Sequence, residues 1–414
     1  MSAVDGRIQH DRLGRAHRER GFPPHSDEPR MQRVPGPIEH AWAVPAQRAA
    51  VAREALSHPN PRIVADPGDP GSSLWTWVVE APGARTVLLW TNPVFDHADP
   101  ARAELTRLDD SDLWTITLRL PAALRASYRI AVRHDEGTPP WRTAEGRRPV
   151  LLAAMSAAEV DGRGTTTVSG SRGEISSVGA GTAAPVEHWR GLPAADGVSR
   201  LDAVELAGRD RAWIYVPVGA TAPTPLLLLF DGDVWRRELP PILDALIASG
   251  ILPPVHVAML DAGDAEHRWE SLGVPGGQVD VVIDLLLPLV EGGWNVSTRG
   301  EDTIVSGQSL GGIAALWTLA LSAGRVGHAI AQSPSLWRFD VHDALAAASG
   351  WRSIELQAGT FEGDMLGDAA ALSAALSADA RTAGRRVTLS PFDAGHDWAV
   401  WRANLIGSLI ALLG

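Results

Sequence analysis

The sequence contains no cysteine and no lysine among its 414 residues. The absence of cysteine excludes disulfide bonds and thiolate metal sites. All 37 basic residues are therefore arginines. We attribute this mainly to codon bias, although guanidinium groups also suit planar anions. The net charge is −12, which argues against a nucleic-acid-binding protein, because such proteins carry a basic excess.

Long apolar runs are also missing. Stretches such as LLLLF and LIALL are too short to cross a bilayer. The polar N-terminus has no apolar core of the kind found in a secretory signal. We therefore expect a cytoplasmic protein without a membrane partner. The 45% hydrophobic content is enough for a sizeable core, and the length suggests two or three domains.

Four segments are predicted along the chain. Residues 1–44 are polar and are interpreted as a loose tail. Residues 45–150 begin with a short helix and continue with alternating apolar runs, which predict an immunoglobulin-like β-sandwich. Residues 151–197 are rich in Gly, Ser, Thr and Ala and are interpreted as a linker. Residues 198–414 alternate apolar strands with helices, which predicts an α/β domain with a parallel sheet covered on both faces.

The stretch VSGQSLGG, residues 305–312, places a serine among glycines between a predicted strand and a predicted helix. A G-x-S-x-G motif alone is weak, but at a sharp strand-to-helix turn it forms the nucleophile elbow of an α/β-hydrolase. Ser309 is the predicted nucleophile. A tight turn capped by a helical serine is the structural alternative.

A serine hydroxyl needs a base and an orienting acid to act as a nucleophile. His396 lies between the last predicted strand and the last helix, where the histidine of an α/β-hydrolase belongs. Glu362 and Asp364 both follow the preceding strand. Glu362 is nearer the strand end and is preferred, with Asp364 left open. Asp397 is expected to be structural.

The backbone N–H of Leu310 is the first predicted oxyanion donor, because it follows the nucleophile at a helix N-terminus. The second donor is expected near Gly232, in the loop Asp231–Trp235 that follows the LLLLF strand. An ordinary Asp-Gly turn is the alternative at that position.

Several segments, taken together, resemble the enterochelin esterase family, the esterases of ferric siderophores. They are LLLLFDGDVW, LPPVHVAMLDAGDAEHRWESL, VSGQSLGGIAALW, AQSPSLW, AGHDWAVWRANL and DSDLWTITLRLPAALRASYRI. The resemblance spans roughly residues 70–135 and 205–414. The chain departs from the family where Ser271 stands in place of a glutamate, and where a short signature between the two domains is absent. Both departures concern the substrate more than the hydrolytic chemistry.

The resemblance implies an α/β-hydrolase domain behind an N-terminal β-sandwich, and a serine esterase that cuts ester bonds of ferric catecholate siderophores. It implies Ser309 as nucleophile, His396 as base and Glu362 as acid, with Arg268 and Trp235 as substrate contacts. No cofactor or resident metal is expected, since iron arrives with the substrate, and the oligomeric state is left open. Two alternatives remain. One is another carboxylesterase or acyltransferase of the superfamily, and the other is a non-catalytic siderophore- or carbohydrate-binding protein.

Overall fold

The computed structural model describes residues 7–21, 31–171, 173–193, 195, 197 and 199–414, which form two compact units. We call the first the parallel-sheet unit; it contains Met1–His25, Glu187–Phe392 and Trp401–Gly414. The second, the β-rich unit, contains Ser26–Val186 and Asp393–Val400. A short segment near the C-terminus therefore belongs to the β-rich unit, although it follows most of the parallel-sheet unit along the chain.

The elements are numbered in chain order. The strands are β1 (Ile8–His10), β2 (Ala16–Arg18), β3 (Gln32–Arg33), β4 (Arg62–Asp66), β5 (Asp69–Glu80), β6 (Thr86–Thr91), β7 (Thr106–Arg107), β8 (Leu113–Pro121), β9 (Arg125–Arg133), β10 (Thr167–Ser169), β11 (Ile175–Ala180), β12 (Arg200–Glu205), β13 (Arg211–Val216), β14 (Leu226–Phe230), β15 (His256–Leu260), β16 (Thr303–Gln308), β17 (His328–Gln332), β18 (Ser353–Gly359) and β19 (Arg386–Phe392). The α-helices are α1 (Pro37–Trp42), α2 (Arg48–Ser57), α3 (Pro140–Thr143), α4 (Arg147–Ala157), α5 (Gly232–Ala248), α6 (Ala265–Ser271), α7 (Gln278–Val281), α8 (Leu287–Gly293), α9 (Leu310–Leu321), α10 (His342–Ala347), α11 (Asp364–Thr382) and α12 (Trp398–Leu413).

The β-rich unit is built on two antiparallel sheets. One has the order β3-β8-β5-β4, with β7 also paired to β8, and the other has the order β10-β11-β9-β6. Side chains from the two sheets meet in the core. The rings of Trp77 on β5 and Tyr128 on β9 are 5.5 Å apart in an edge-to-face arrangement, and both residues are fully buried. Facing sheets with such a core confirm the predicted β-sandwich.

The segment predicted to be a linker contributes to this sandwich. Strand β10 pairs with β11, and β11 pairs with β9, so the linker prediction is wrong for these residues. Their small side chains have a packing reason. A Cβ atom at Gly179 on β11 would lie 2.2 Å from the indole of Trp75, so only glycine leaves room for that ring.

The described part of the predicted polar tail is also ordered into elements. Strands β1 and β2 form an antiparallel hairpin within the parallel-sheet unit. The His17 ring lies edge-on to the buried Trp317 ring at 4.7 Å. The Glu19 carboxylate accepts a hydrogen bond from Arg338 Nε at 3.0 Å. Residues 7–20 are therefore attached to their unit by polar and aromatic contacts, and a loose tail does not describe them.

The parallel-sheet unit has an eight-stranded sheet in the order β12-β13-β15-β14-β16-β17-β18-β19. Neighbouring strands from β15 through β19 run parallel, while β12 and β13 are antiparallel. Strands β14 and β16 are buried at every position, as expected for strands covered on both faces. This confirms the predicted α/β fold. The carboxyl ends of the parallel strands consequently lie at one edge of the sheet.

Helix α5 begins earlier than its sequence pattern predicts. The pattern places its start at Leu239, before two prolines, but the helix begins at Gly232 and contains Pro240 and Pro241 in its interior. Burial of Val234 and Trp235 stabilises the early turns, so tertiary packing outweighs the local preference of proline for a helix start. Within the described residues, every helix is too short or too polar to cross a membrane.

Candidate active site

Ser309 lies at the turn between β16 and α9 with φ 58° and ψ −117°. A positive φ is unfavourable for a residue with a Cβ atom. Hydrogen bonds hold it there: the Ser309 N–H donates to the Gln332 carbonyl at 2.9 Å, and the Ser309 carbonyl accepts from Ser335 N–H at 3.0 Å. This is the strained strand-to-helix geometry predicted for a nucleophile elbow.

The glycines around Ser309 are required by close backbone approach. A Cβ at Gly307 would lie 2.4 Å from the Gly311 carbonyl oxygen, and a Cβ at Gly312 would lie 2.8 Å from the Gln332 carbonyl oxygen. Neither neighbour is a flexible side-chain end, so the backbone would have to shift. The motif VSGQSLGG is thus explained by the turn itself, which brings β16, α9 and the end of β17 into contact.

Two helix N-termini point to oxyanion stabilisation. Leu310 is the first residue of α9, and Gly232 is the first residue of α5. The first N–H groups of a helix have no carbonyl partner within it, and this end of the helix carries partial positive charge. A Cβ at Gly311 would lie 3.2 Å from both Phe230 Cβ and an Asp231 carboxylate oxygen. The loop after β14 therefore contacts the elbow directly.

A buried polar network fixes that loop. Asp231 is 1% exposed. Its carboxylate accepts hydrogen bonds from Arg268 Nε at 2.6 Å and from Gln308 Nε2 at 2.7 Å. Trp235 Nε1 donates to Gln308 Oε1 at 3.2 Å. Burial disfavours the charge on Arg268, but the adjacent Asp231 carboxylate outweighs it and raises the pKa of the guanidinium.

This network changes the interpretation of two predicted substrate contacts. Trp235 is 1% exposed and its ring packs within the early turns of α5, which disfavours the predicted contact with substrate. The Arg268 guanidinium forms an ion pair with Asp231, and its side chain is 23% exposed. Substrate contact by Arg268 stays a prediction. The observed hydrogen bonds of Arg268 and Trp235 stabilise the loop that carries Gly232.

Trp269, which directly follows Arg268, forms an aromatic surface with Trp337. Trp269 is 39% exposed and stacks on Trp337, with ring centroids 6.2 Å apart. The Arg338 guanidinium lies 4.3 Å from the Trp269 ring centroid, and its Nη2 donates to the Trp269 carbonyl at 2.7 Å. Trp269 directly follows the predicted substrate contact Arg268, whereas the contacts of Trp337 and Arg338 were not predicted from the sequence. Trp337 ends the AQSPSLW segment on which the family resemblance partly rests, and Arg338 directly follows it.

Ser335 is a third residue that sequence reasoning missed. It follows β17, is 1% exposed, and its Oγ lies 3.5 Å from Ser309 Oγ. Its backbone N–H also donates to the Ser309 carbonyl at 3.0 Å. A serine hydroxyl both donates and accepts, so Ser335 can stabilise the orientation of the Ser309 hydroxyl. The signal available in the sequence was the serine pair in QSPS directly after a buried strand.

The acid candidates lie after β18. Glu362 Oε2 accepts a hydrogen bond from Gly359 N–H at 2.7 Å, and the Glu362 N–H donates to the Gly359 carbonyl at 3.1 Å. Glu362 is half-buried and is folded back onto the end of the strand, whereas Asp364 is exposed and is the first residue of α11. These placements favour Glu362 over Asp364.

The predicted base, His396, lies in the segment Asp393–Val400 of the β-rich unit. His396 is exposed, and its backbone carbonyl accepts a hydrogen bond from Asn92 Nδ2 at 2.9 Å. The next residue, Asp397, is 1% exposed. Burial raises the pKa of its carboxyl to about 6, against the effect of hydrogen bonds from two backbone N–H groups.

Comparison with known proteins identifies the class of protein. The putative esterase family matches residues 203–412, half of the chain, and the chain belongs to that family. This is a family of carboxylic ester hydrolases. The enterochelin esterase N-terminal family matches residues 74–190, and all of these except the last four are in the β-rich unit.

Individual relatives agree with this assignment. The iron(III) enterobactin esterase of Escherichia coli K12 is 28% identical over 354 residues, covering 79% of this chain and 86% of the relative. The iron(III) salmochelin esterase of Escherichia coli O6:H1 is also 28% identical, covering 79% and 84%. The crystal structure of the enterobactin esterase from Shigella flexneri in the presence of enterobactin superposes with a TM-score of 0.73 at 25% identity, covering 86% of this chain and 96% of that one.

Proposed function

We propose that this protein is a serine esterase that hydrolyses the ester bonds of ferric catecholate siderophores, such as the serine trilactone of enterobactin, and so releases iron inside the cell. The observation that carries the proposal is the strained Ser309 turn at the carboxyl edge of a parallel sheet. The similarity to enterobactin and salmochelin esterases supports the substrate class.

The proposed mechanism uses three side chains. His396 removes the proton from Ser309 Oγ, which attacks the ester carbonyl and forms a tetrahedral intermediate. The backbone N–H groups of Leu310 and Gly232 stabilise the oxyanion. Glu362 orients the imidazole and stabilises its protonated form. His396 then returns the proton to the leaving alcohol, and a water molecule activated by His396 releases the acid and restores the serine.

The aromatic surface of Trp269 and Trp337 supports an aryl-bearing substrate. Two stacked indoles beside a guanidinium offer a flat face for a catechol ring and a positive charge for its oxygens. The Arg338 side chain is 2% exposed and forms an ion pair with Glu19. It therefore stabilises the stacked rings and attracts the anionic substrate from a distance. Direct contact with the substrate is made by the exposed Trp269.

The experiment that tests the proposal is mass spectrometry of the products from ferric and iron-free enterobactin, with the wild-type protein and the Ser309→Ala variant. We expect linear products one water heavier per bond cut from wild type, and none from Ser309→Ala. A matched control is Ser322→Ala, which removes a buried hydroxyl at the other end of α9 and leaves the turn intact.

Other outcomes distinguish the alternatives. Transfer of the acyl group to an added alcohol or sugar, in place of water, would identify an acyltransferase. Hydrolysis of feruloyl-type or simple esters without siderophore cleavage would identify another carboxylesterase of the family. Binding of ferric enterobactin with no bond cleavage would identify a non-catalytic siderophore-binding protein.

A further inference from the structure

The segment that carries His396, Asp393–Val400, is bonded to two residues of its own unit, Asn92 directly after β6 and Ser127 on β9. Asn92 Nδ2 donates to the His396 carbonyl at 2.9 Å. The Ser127 N–H on β9 donates to Asp397 Oδ2 at 2.7 Å. The Asn92 N–H in turn donates to the Ser127 carbonyl at 2.9 Å. Asn92 and Ser127 are therefore bonded to each other, and they hold His396 and the adjacent Asp397.

Apolar contacts hold the same loop on its C-terminal side. Ala399 is fully buried and packs with Val168 on β10 and Val178 on β11, and Trp398 packs against this cluster. Strands β10 and β11 are the part of the chain whose composition resembles a linker. Their place in the sandwich thus has a consequence for the loop, because they form the surface against which Trp398 and Ala399 pack.

The Asp397 carboxylate uses both of its oxygens within this anchor. Oδ2 accepts from Ser127 N–H, and Oδ1 accepts from Ala399 N–H at 2.9 Å. Asp397 is 1% exposed, and a buried N–H that loses its acceptor is costly. The carboxylate oxygens are therefore occupied by backbone donors, an arrangement that suits a side chain which fixes the loop and does not accept the imidazole proton.

We propose that Asp397, together with Asn92, is a positioning residue for the reaction: it holds the backbone of His396 where the imidazole can act on Ser309. The inference rests on the proposed function, in which His396 is the base. Ser127 and Asn92, the partners of the anchor, belong to the same unit as His396 itself.

Two variants and one control test this role. In Asp397→Asn the amide can accept one N–H but presents its NH₂ to the other, so one attachment is lost with little change in size. In Asn92→Asp the donor to the His396 carbonyl becomes an acceptor. The control is Asp66→Asn, because Asp66 is also a buried carboxylate of the β-rich unit, and accepts the Gly68 N–H at 2.9 Å outside this loop.

The readout is kcat and KM on a small activated ester, normalised to the folded fraction, with the pH profile of kcat/KM. We expect kcat to fall about 10–100-fold in Asp397→Asn and Asn92→Asp, since small displacements of a catalytic group cost about this much. KM should change less than about threefold, because uniform substrate binding is retained. The kcat values are compared on the pH plateau, because Asp397 carries a charge next to the imidazole and its replacement changes the electrostatics as well as the position of the loop. Asp66→Asn should keep kcat per folded molecule.

Distinct results overturn the inference. Folded Asp397→Asn and Asn92→Asp with wild-type kcat would show that the anchor does not position the base. A wild-type kcat on the pH plateau, with only the midpoint of the profile shifted, would assign Asp397 an electrostatic role in place of a positioning one. If Asp397→Asn does not fold, Asn92→Asp alone decides, since Asn92 is only half-buried. Failure of the proposed function is seen separately, as turnover that survives in Ser309→Ala and His396→Ala.

Discussion

The positive φ of Ser309 predicts that a glycine at this position makes the protein more stable. Ser309→Gly and Ser309→Ala both remove the hydroxyl, and they differ only in the Cβ atom. At φ 58° and ψ −117° a residue with a Cβ pays about 1–3 kcal/mol of backbone strain. Glycine is free of this strain but loses about 0.4–1 kcal/mol through its more flexible unfolded state.

The net expectation is that Ser309→Gly exceeds Ser309→Ala in free energy of unfolding by roughly 0.5–2 kcal/mol. In a unit of this size each kcal/mol corresponds to about 2–4 °C in Tm. Urea unfolding, monitored by circular dichroism, measures the difference. If the slope of the unfolding free energy against urea concentration is the same in both variants, only the stability has changed.

The matched pair Ser322→Gly and Ser322→Ala gives the opposite sign. Ser322 ends α9 with φ −77° and ψ 0°, an ordinary helical conformation, so glycine has no strain to relieve and its entropy cost remains. If Ser309→Gly is no more stable than Ser309→Ala, the turn at residue 309 is unstrained and the reasoning about a nucleophile elbow fails.

Three further predictions follow from the contacts. Arg268→Ala leaves the Asp231 carboxylate buried without its cation and should lower the free energy of unfolding by about 3–5 kcal/mol. The control Arg12→Ala breaks the exposed ion pair with Asp284 and should lower it by less than about 1 kcal/mol. Equal losses in denaturant titrations would contradict this. The pKa of Asp397 is raised to about 6 in the folded state, so the resulting stabilisation is fully present below the unfolded pKa and is lost as pH rises through 6. The stability of wild type relative to Asp397→Asn should therefore fall by roughly 2–2.5 kcal/mol between pH 4 and 7, and a constant difference would refute the shift. Trp269→Ala should raise KM severalfold for a catecholate siderophore and leave KM for a small activated ester unchanged; identical KM values for the siderophore in wild type and variant would remove this ring from the binding surface.

The elbow was predictable because its requirements are local. A serine flanked by glycines at positions 307 and 311, between an apolar strand and an apolar helix, can be identified from neighbouring residues alone. The same holds for strands β14 and β16, whose continuous apolar runs predict burial on both faces. Residues that act through chain neighbours leave a signal in the sequence pattern.

Features that depend on distant partners were not predictable in this way. The ion pair between Arg268 and Asp231 joins residues 37 positions apart, and nothing in the HRW segment distinguishes an internal cation from a substrate ligand. The hairpin of β1 and β2 has few apolar residues, and the contact between Glu19 and Arg338 joins residues 319 positions apart. Gly179 on β11 is a glycine because Trp75 fills the space above it, whereas in the sequence a run of small residues is equally typical of a linker.

The most direct test of the central claim is to label the protein with a fluorophosphonate and map the modified peptide by mass spectrometry. The account predicts one phosphonyl group on Ser309, formed quickly in wild type and much more slowly in His396→Ala. Absence of labelling in active wild-type protein, or a label on another residue that abolishes siderophore cleavage, would contradict it.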